Sequence, residues 1–175
     1  MRTKYILAFC ISLFTLPCFA QTADRVSVNL KTETFYECFT LSLPDNLKRR
    51  SIPSLEEITD IIQYSDDEDS VNVKITKREG VLGLHYAQQL SEPMAVSFYK
   101  GTIQRSEIAE VNGHPVYFFL MTGYWNDDEF QSVMARGYLE SNGATFNFLV
   151  RFPISYTKYN DELIANIFNS VKICR

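Results

Sequence analysis

The residues whose type and spacing could support chemistry are the four consecutive carboxylates of SDDEDS: Asp66, Asp67, Glu68 and Asp69, between Ser65 and Ser70. Clustered carboxylates can ligate a hard cation, attract a basic protein or stay solvated. A calcium loop of the EF-hand type needs oxygen ligands at its first, third and fifth positions, glycine at the sixth and glutamate at the twelfth. The best frame starts at Glu68 and supplies Ser70, Asn72 and Glu79, but Val73 holds the glycine position and the residues between read as strand. The frame fails. A looser calcium site shared with a second acidic loop, Asp127, Asp128 and Glu129, stays open. So does a docking surface for a basic protein, whose association a concentrated acidic field would speed. Trp125, the single tryptophan, adjoins that second loop. It either caps the core or serves as the kind of aromatic anchor that dominates binding surfaces, with Tyr124, Phe130, Tyr156 and Tyr159 extending either role.

Catalytic signatures are missing from the sequence. The two histidines, His85 and His114, are isolated: His114 falls in a turn beside Pro115 and reads as solvated, while His85 reads as a satisfied, partly buried helix residue sharing a face with Leu82. The chain has no Gly-x-Ser-x-Gly elbow, no His-Glu-x-x-His, no Cys-x-x-Cys and no phosphate-cradling glycine loop. Two distant carboxylates could still work as acid and base, but 21 acidic residues single out no pair. The expectation is a protein without catalytic residues or a required cofactor.

The elements that position these groups begin after a leader. MRTKYILAFCISLFTLPCFA places Arg2 and Lys4 ahead of a short apolar run and ends on Cys-Phe-Ala, the pattern of a secretory signal peptide cut after Ala20. The run is shorter than the roughly 20 residues that span a bilayer. Residue Pro17 stands before Cys18 where a lipidation signal wants a small residue. The reading is therefore export to the periplasm without membrane insertion. Loss of residues 1–20 removes Cys10 and Cys18 and leaves Cys38 and Cys174 in an oxidising compartment. These two read as one disulfide, which would constrain the unfolded chain by about 4–5 kcal/mol in the loop-entropy picture. Loss of Arg2 and Lys4 also takes the formal net charge from −4 to −6, which argues against nucleic acid and anionic membranes as partners and favours a protein with a basic surface.

Residues 21–34 read as a frayed N-terminus and 35–175 as one domain. Phe35 to Leu43 alternates as a strand that Pro44-Asp45-Asn46 stops. Ser54-Leu55-Glu56-Glu57 forms a capping box, with Leu55, Ile58, Ile61 and Ile62 at helical spacing behind it, so SDDEDS should connect a helix to the strand carrying Val71, Val73 and Ile75. Val81, Leu82, Leu84, Leu90, Met94 and Phe98 suit helix, with Pro93 breaking it or starting another. Asn112-Gly113 and Asn142-Gly143 are hairpin turns. Between them VYFFLMTGY, from Val116, is apolar on both faces and must be covered twice. Leu163, Ile164, Ile167, Phe168 and Val171 mark a final amphipathic helix. The class is α+β: a mainly antiparallel sheet with a C-terminal four-strand meander and helices on both faces.

The segments FTLSLPDNLK (Phe39 to Lys48), EVNGHPVYFF (Glu110 to Phe119), GYLESNGATFNFLVRFP (Gly137 to Pro153) and IFNSVKI (Ile167 to Ile173) together resemble the DcrB-like group of the PsbP-like fold. That resemblance implies an α/β/α sandwich used for binding, with no shared catalytic residues. Its members include cell-envelope proteins and cytoplasmic chaperones for type VI secretion effectors; the leader departs from the chaperones. The leading expectation is a periplasmic protein-binding module, an immunity protein that covers an antibacterial effector with its acidic, Trp125-bearing face. An envelope factor that binds a small ligand or assists assembly is one alternative, and an envelope-directed hydrolase is another.

Overall fold

The fold is described from a computed structural model covering residues 28–51, 60–124, 130–156 and 161–174. The leader, the capping box at Ser54 to Glu57, Trp125 to Glu129 and Tyr159 lie outside the described residues. Among the described residues ten strands and two helices follow in the order β1 (Leu30–Phe35), β2 (Phe39–Pro44), β3 (Lys48–Arg50), β4 (Ile61–Ser65), β5 (Asn72–Glu79), α1 (Leu84–Phe98), β6 (Thr102–Val111), β7 (His114–Tyr124), β8 (Gln131–Ser141), β9 (Ala144–Pro153), α2 (Asp161–Asn169) and β10 (Lys172–Ile173). Seven strands form one sheet in the order β3-β4-β5-β9-β8-β7-β6, and a smaller sheet runs β1-β2-β10. Every strand pairing is antiparallel.

The two Asn-Gly pairs turn the chain as expected. Asn112 and Gly113 have φ of 50° and 80°, Asn142 and Gly143 of 50° and 74°, so both central positions take the left-handed conformation that a two-residue hairpin demands. The Asn112 side chain does more, donating to the carbonyls of Asn169 (3.0 Å) and Val171 (2.7 Å). It thereby pins the end of α2 and the approach to β10.

Three expectations about the first half need correction. Leu30 to Thr34, expected to fray, form β1 and pair with β2. The strand expected over Phe35 to Leu43 is broken by a turn at Tyr36 and Glu37, both at positive φ (52° and 55°), so Phe35 comes to lie opposite Phe39. Ile61 and Ile62, expected in a helix, belong to β4. Ile62 and Tyr64 lie two apart, on one side of the strand, and both pack in the main core; β-branched and aromatic residues at that spacing suit strand. SDDEDS consequently joins two strands. Further on, α1 runs through Pro93 without a break. A proline there leaves the carbonyl one turn earlier without its helical donor, but Gln89 and Pro93 are both exposed, so water can take its place.

Packing follows from β7. Val116, Phe118 and Leu120 enter one apolar cluster with Phe39, Phe148, Ile167 and Phe168. Tyr117, Phe119 and Met121 enter another with Ala87 and Ala95 of α1. Phe168 meets the Phe118 ring edge-on at 4.3 Å and Phe148 at 4.8 Å. Phe148 in turn lies across from Gly137 in the β8–β9 ladder, and a β-carbon at Gly137 would come within 2.1 Å of its ring. Only glycine leaves room for that aromatic side chain.

Candidate functional site

The acidic run spends its charge inside the chain. Asp66 Oδ1 accepts the backbone N–H of Ser70 (2.8 Å) and Val71 (3.1 Å), which makes it the internal cap of the β4–β5 turn. Lys48 Nζ grips both oxygens of Asp67 at 2.8 and 3.0 Å and holds its carboxyl below the usual range, by hydrogen bond first and charge second. Ser65 Oγ donates to Asp69 (2.5 Å), and Arg50 lies 3.7 Å from the same carboxylate. The Tyr156 hydroxyl donates to Glu68 (3.1 Å). These partners exist because β3, with the sequence Lys-Arg-Arg, pairs with β4 in a register that sets Lys48 opposite Ser65. Asp67 and Asp69 therefore face the basic edge strand β3 while staying largely exposed. No group of three His, Cys, Asp or Glu among the described residues is arranged to hold a metal ion.

The other sequence candidates are dispersed. His85 is exposed on α1, contrary to the partly buried position expected, and His114 is exposed at the start of β7. Cys38 and Cys174 are brought together: Ile173 pairs with Phe39, and Cys174 N–H donates to the Cys38 carbonyl at 2.9 Å, so the two cysteines oppose one another across adjacent strands. Both are half-buried free thiols, and the bond expected between them is not formed. Nearby, burial and the Asp60 carboxylate push the Tyr36 hydroxyl up to about 12; that hydroxyl donates to the Asp60 carbonyl at 2.7 Å.

Two features escaped the sequence. The first is a groove of about 530 Å³ between α2 and the sheet, lined by Phe118, Leu120, Val133, Phe152, Ile154, Ile164 and Ala165 and by Gln104, Arg105 and Thr122. A smaller hollow of about 150 Å³ continues it past Arg105 and Ala165. Arg105 stacks over the Phe118 ring at 5.0 Å and pairs with Glu107, dividing the two. Such a volume, lined about equally by polar and apolar surface, is the size of a small-molecule site. Its residues come from four strands and one helix, so no local pattern announced it.

The second is the outward face of α1. Ala87, Ser91 and Ala95, in steps of four, are buried against the sheet, while Tyr86, Leu90 and Met94 stand 51%, 44% and 41% exposed. Leu90, Met94 and Phe98 also recur in steps of four, a spacing that suits helix without naming its buried side. The signal that decides between the stripes is size: only alanine and serine let a helix backbone lie close on the aromatic face of β7.

No family model matches the chain, and no curated protein matches it in sequence. Solved structures do. The chain is similar to cyanobacterial PsbP (CyanoP) from Synechocystis sp. PCC 6803, with a TM-score of 0.59 at 10% identity, over 83% of this chain and 93% of that one. It is also similar to LpqN of Mycobacterium tuberculosis, involved in cell envelope biogenesis, with a TM-score of 0.54 at 15% identity, over 78% of this chain and 83% of that one. At such identities the likeness is one of fold, and the fold is PsbP-like.

Within the acidic run, Asp66 is the residue that carries structure. Asp66→Ala should cost about 1–2 kcal/mol in urea unfolding by leaving two turn amides uncapped. Asp67→Ala, at a solvated ion pair, should leave the midpoint nearly unmoved. Equal effects would contradict this division.

Proposed function

We propose that the protein is a non-catalytic periplasmic module of the cell envelope that holds a slender amphipathic molecule in the groove under α2. The observation that carries this reading is the groove itself: an open hollow of about 530 Å³ in which Phe118, Leu120, Val133, Phe152 and Ile164 stand beside Gln104, Arg105 and Thr122. An acyl chain that sheds water there gains about 0.8 kcal/mol per buried CH₂, so about eight methylenes supply roughly 6 kcal/mol before the cost of association. Gln104, Thr122 and the guanidinium of Arg105 would meet the head group. The envelope role of LpqN, a fold neighbour, supports the setting, and membership of the DcrB-like group belongs to the same reading.

The immunity reading, in which an acidic face docks a basic effector, draws less support from SDDEDS, since Lys48, Arg50 and Tyr156 already engage those carboxylates. It now rests on Trp125, Asp127, Asp128 and Glu129.

The groove is tested by titrating the protein with sodium dodecanoate and dodecyl maltoside in a calorimeter. Binding of either, weakened at least tenfold by Ala165→Trp, which fills the rim from an exposed helix position, is the expected result. No heat with either compound, or equal affinity in the variant, would contradict it.

Export also bears on the opposed cysteines. In an oxidising compartment, disulfide exchange with a thiol oxidoreductase would join Cys38 to Cys174, the two thiol protons leaving as the donor disulfide is reduced. Protein recovered unreduced from the periplasm should then be lighter by two hydrogens, and Cys174→Ser should cost about 2–4 kcal/mol of stability. Two free thiols in that material would show that the pair stays open.

A further inference from the structure

On the side of the large sheet that carries α1, the strand register lines up Phe119, Arg136, Leu149, Lys74, Gln63 and Arg50 in one row from β7 to β3. The helix lies over β6, β7 and β8, where Phe119 joins Ala87 and Ala95 in one cluster. Beyond the helix the row turns cationic. The neighbouring row adds Arg151 opposite Asn72 and Lys48 opposite Ser65, and neither row holds a carboxylate. On the reverse side the same strands are apolar, with Val73, Ile75, Phe148 and Val150 in the main core. In a chain with 21 acidic and 17 basic residues, this face is a local reversal of charge.

The outer and inner cations of the face differ in their partners. Lys48 holds Asp67, and Arg50 lies 3.7 Å from Asp69, so the SDDEDS turn meets both outer ones. Lys74 makes no ion pair with a described residue. Arg136 donates to the Tyr138 hydroxyl at 3.3 Å and likewise pairs with no described carboxylate. Glu140, on the same side of β8 as Arg136, lies two rows away and takes the Gly83 N–H at 2.6 Å. Lys74 and Arg136 flank Leu149, which is 7% exposed. They stand on the strands either side of β9, so their backbones are about 10 Å apart, a gap that two long side chains close from both ends.

We propose that Lys74 and Arg136 form a site for a small soluble phosphomonoester, with its phosphate seated over Leu149. Charge sets the valence: two cations without acid partners are matched by one dianion, whereas a carboxylate would satisfy one of them. Shape agrees, because a guanidinium takes two phosphate oxygens side by side while an ammonium engages a third as a point charge. The surroundings limit the size. Asp67, Glu68 and Asp69 are exposed where the chain leaves this face at Ser65, and they would repel an anionic membrane or polymer laid along the row.

This site and the groove lie on opposite sides of the sheet, so either can fail alone. The test is calorimetric titration with glycerol 2-phosphate at pH 8, where its phosphate is doubly charged, and with sodium acetate at matched ionic strength. The expected result is saturable binding of glycerol 2-phosphate with Kd below about 1 mM and none of acetate. Lys74→Gln and Arg136→Gln, each checked for native circular dichroism, should each weaken it at least tenfold, and Lys48→Gln less than twofold. No saturable heat up to about 10 mM, equal affinity for acetate, or full affinity in both inner variants would overturn the proposal. So would an equal loss in Lys48→Gln, or Lys74-dependent binding to phosphatidylglycerol vesicles by a protein that ignores glycerol 2-phosphate.

Discussion

The structure depends on β7 having no polar side. From Val116 to Met121 six consecutive residues are buried, and their side chains alternate between two separate apolar clusters. A strand of this kind is stable only if both faces of the sheet are covered, and the covers differ in kind. On one face β1, β2 and α2 contribute large side chains such as Phe39, Leu41, Ile167 and Phe168. On the other, α1 contributes Ala87 and Ala95 and brings its backbone down on Tyr117, Phe119 and Met121.

That asymmetry shapes what each cover leaves open. The thick cover does not close fully over the sheet, and the gap between α2 and β6 to β9 is the groove. The thin cover uses up the small residues of α1 in packing and leaves its large ones outside. The histidines are exposed on separate elements, and among the carboxylates of SDDEDS Asp66 caps its turn while Asp67 reaches the basic strand β3.

The second half of the chain was legible because its determinants are local. Asn-Gly pairs require left-handed backbone, and an apolar nonapeptide between two turns admits one placement. The first half was less so. The turn at Tyr36 and Glu37 uses two residues that seldom adopt positive φ, and nothing in their side chains announces it. Ile61 and Ile62 satisfied a helical period and a strand period together, and pairing with β5 decided the outcome. In α1 the apolar residues Leu90, Met94 and Phe98 suited helix without naming its buried side, and the closeness of approach to an aromatic sheet selected Ala87, Ser91 and Ala95. For the acidic run the sequence left solvation, cation binding and docking open, because the basic partners of Asp67 and Asp69 sit in β3, about twenty positions earlier.

The direct measurement of the central claim is native-state hydrogen exchange at the amides of Tyr117 to Leu120. If β7 is locked by both covers, these amides exchange only through global unfolding, with an opening free energy equal to that from urea denaturation. Exchange several kcal/mol easier than global unfolding would mean that one cover opens while the sheet stands, and the two-sided constraint would not be what holds the molecule together.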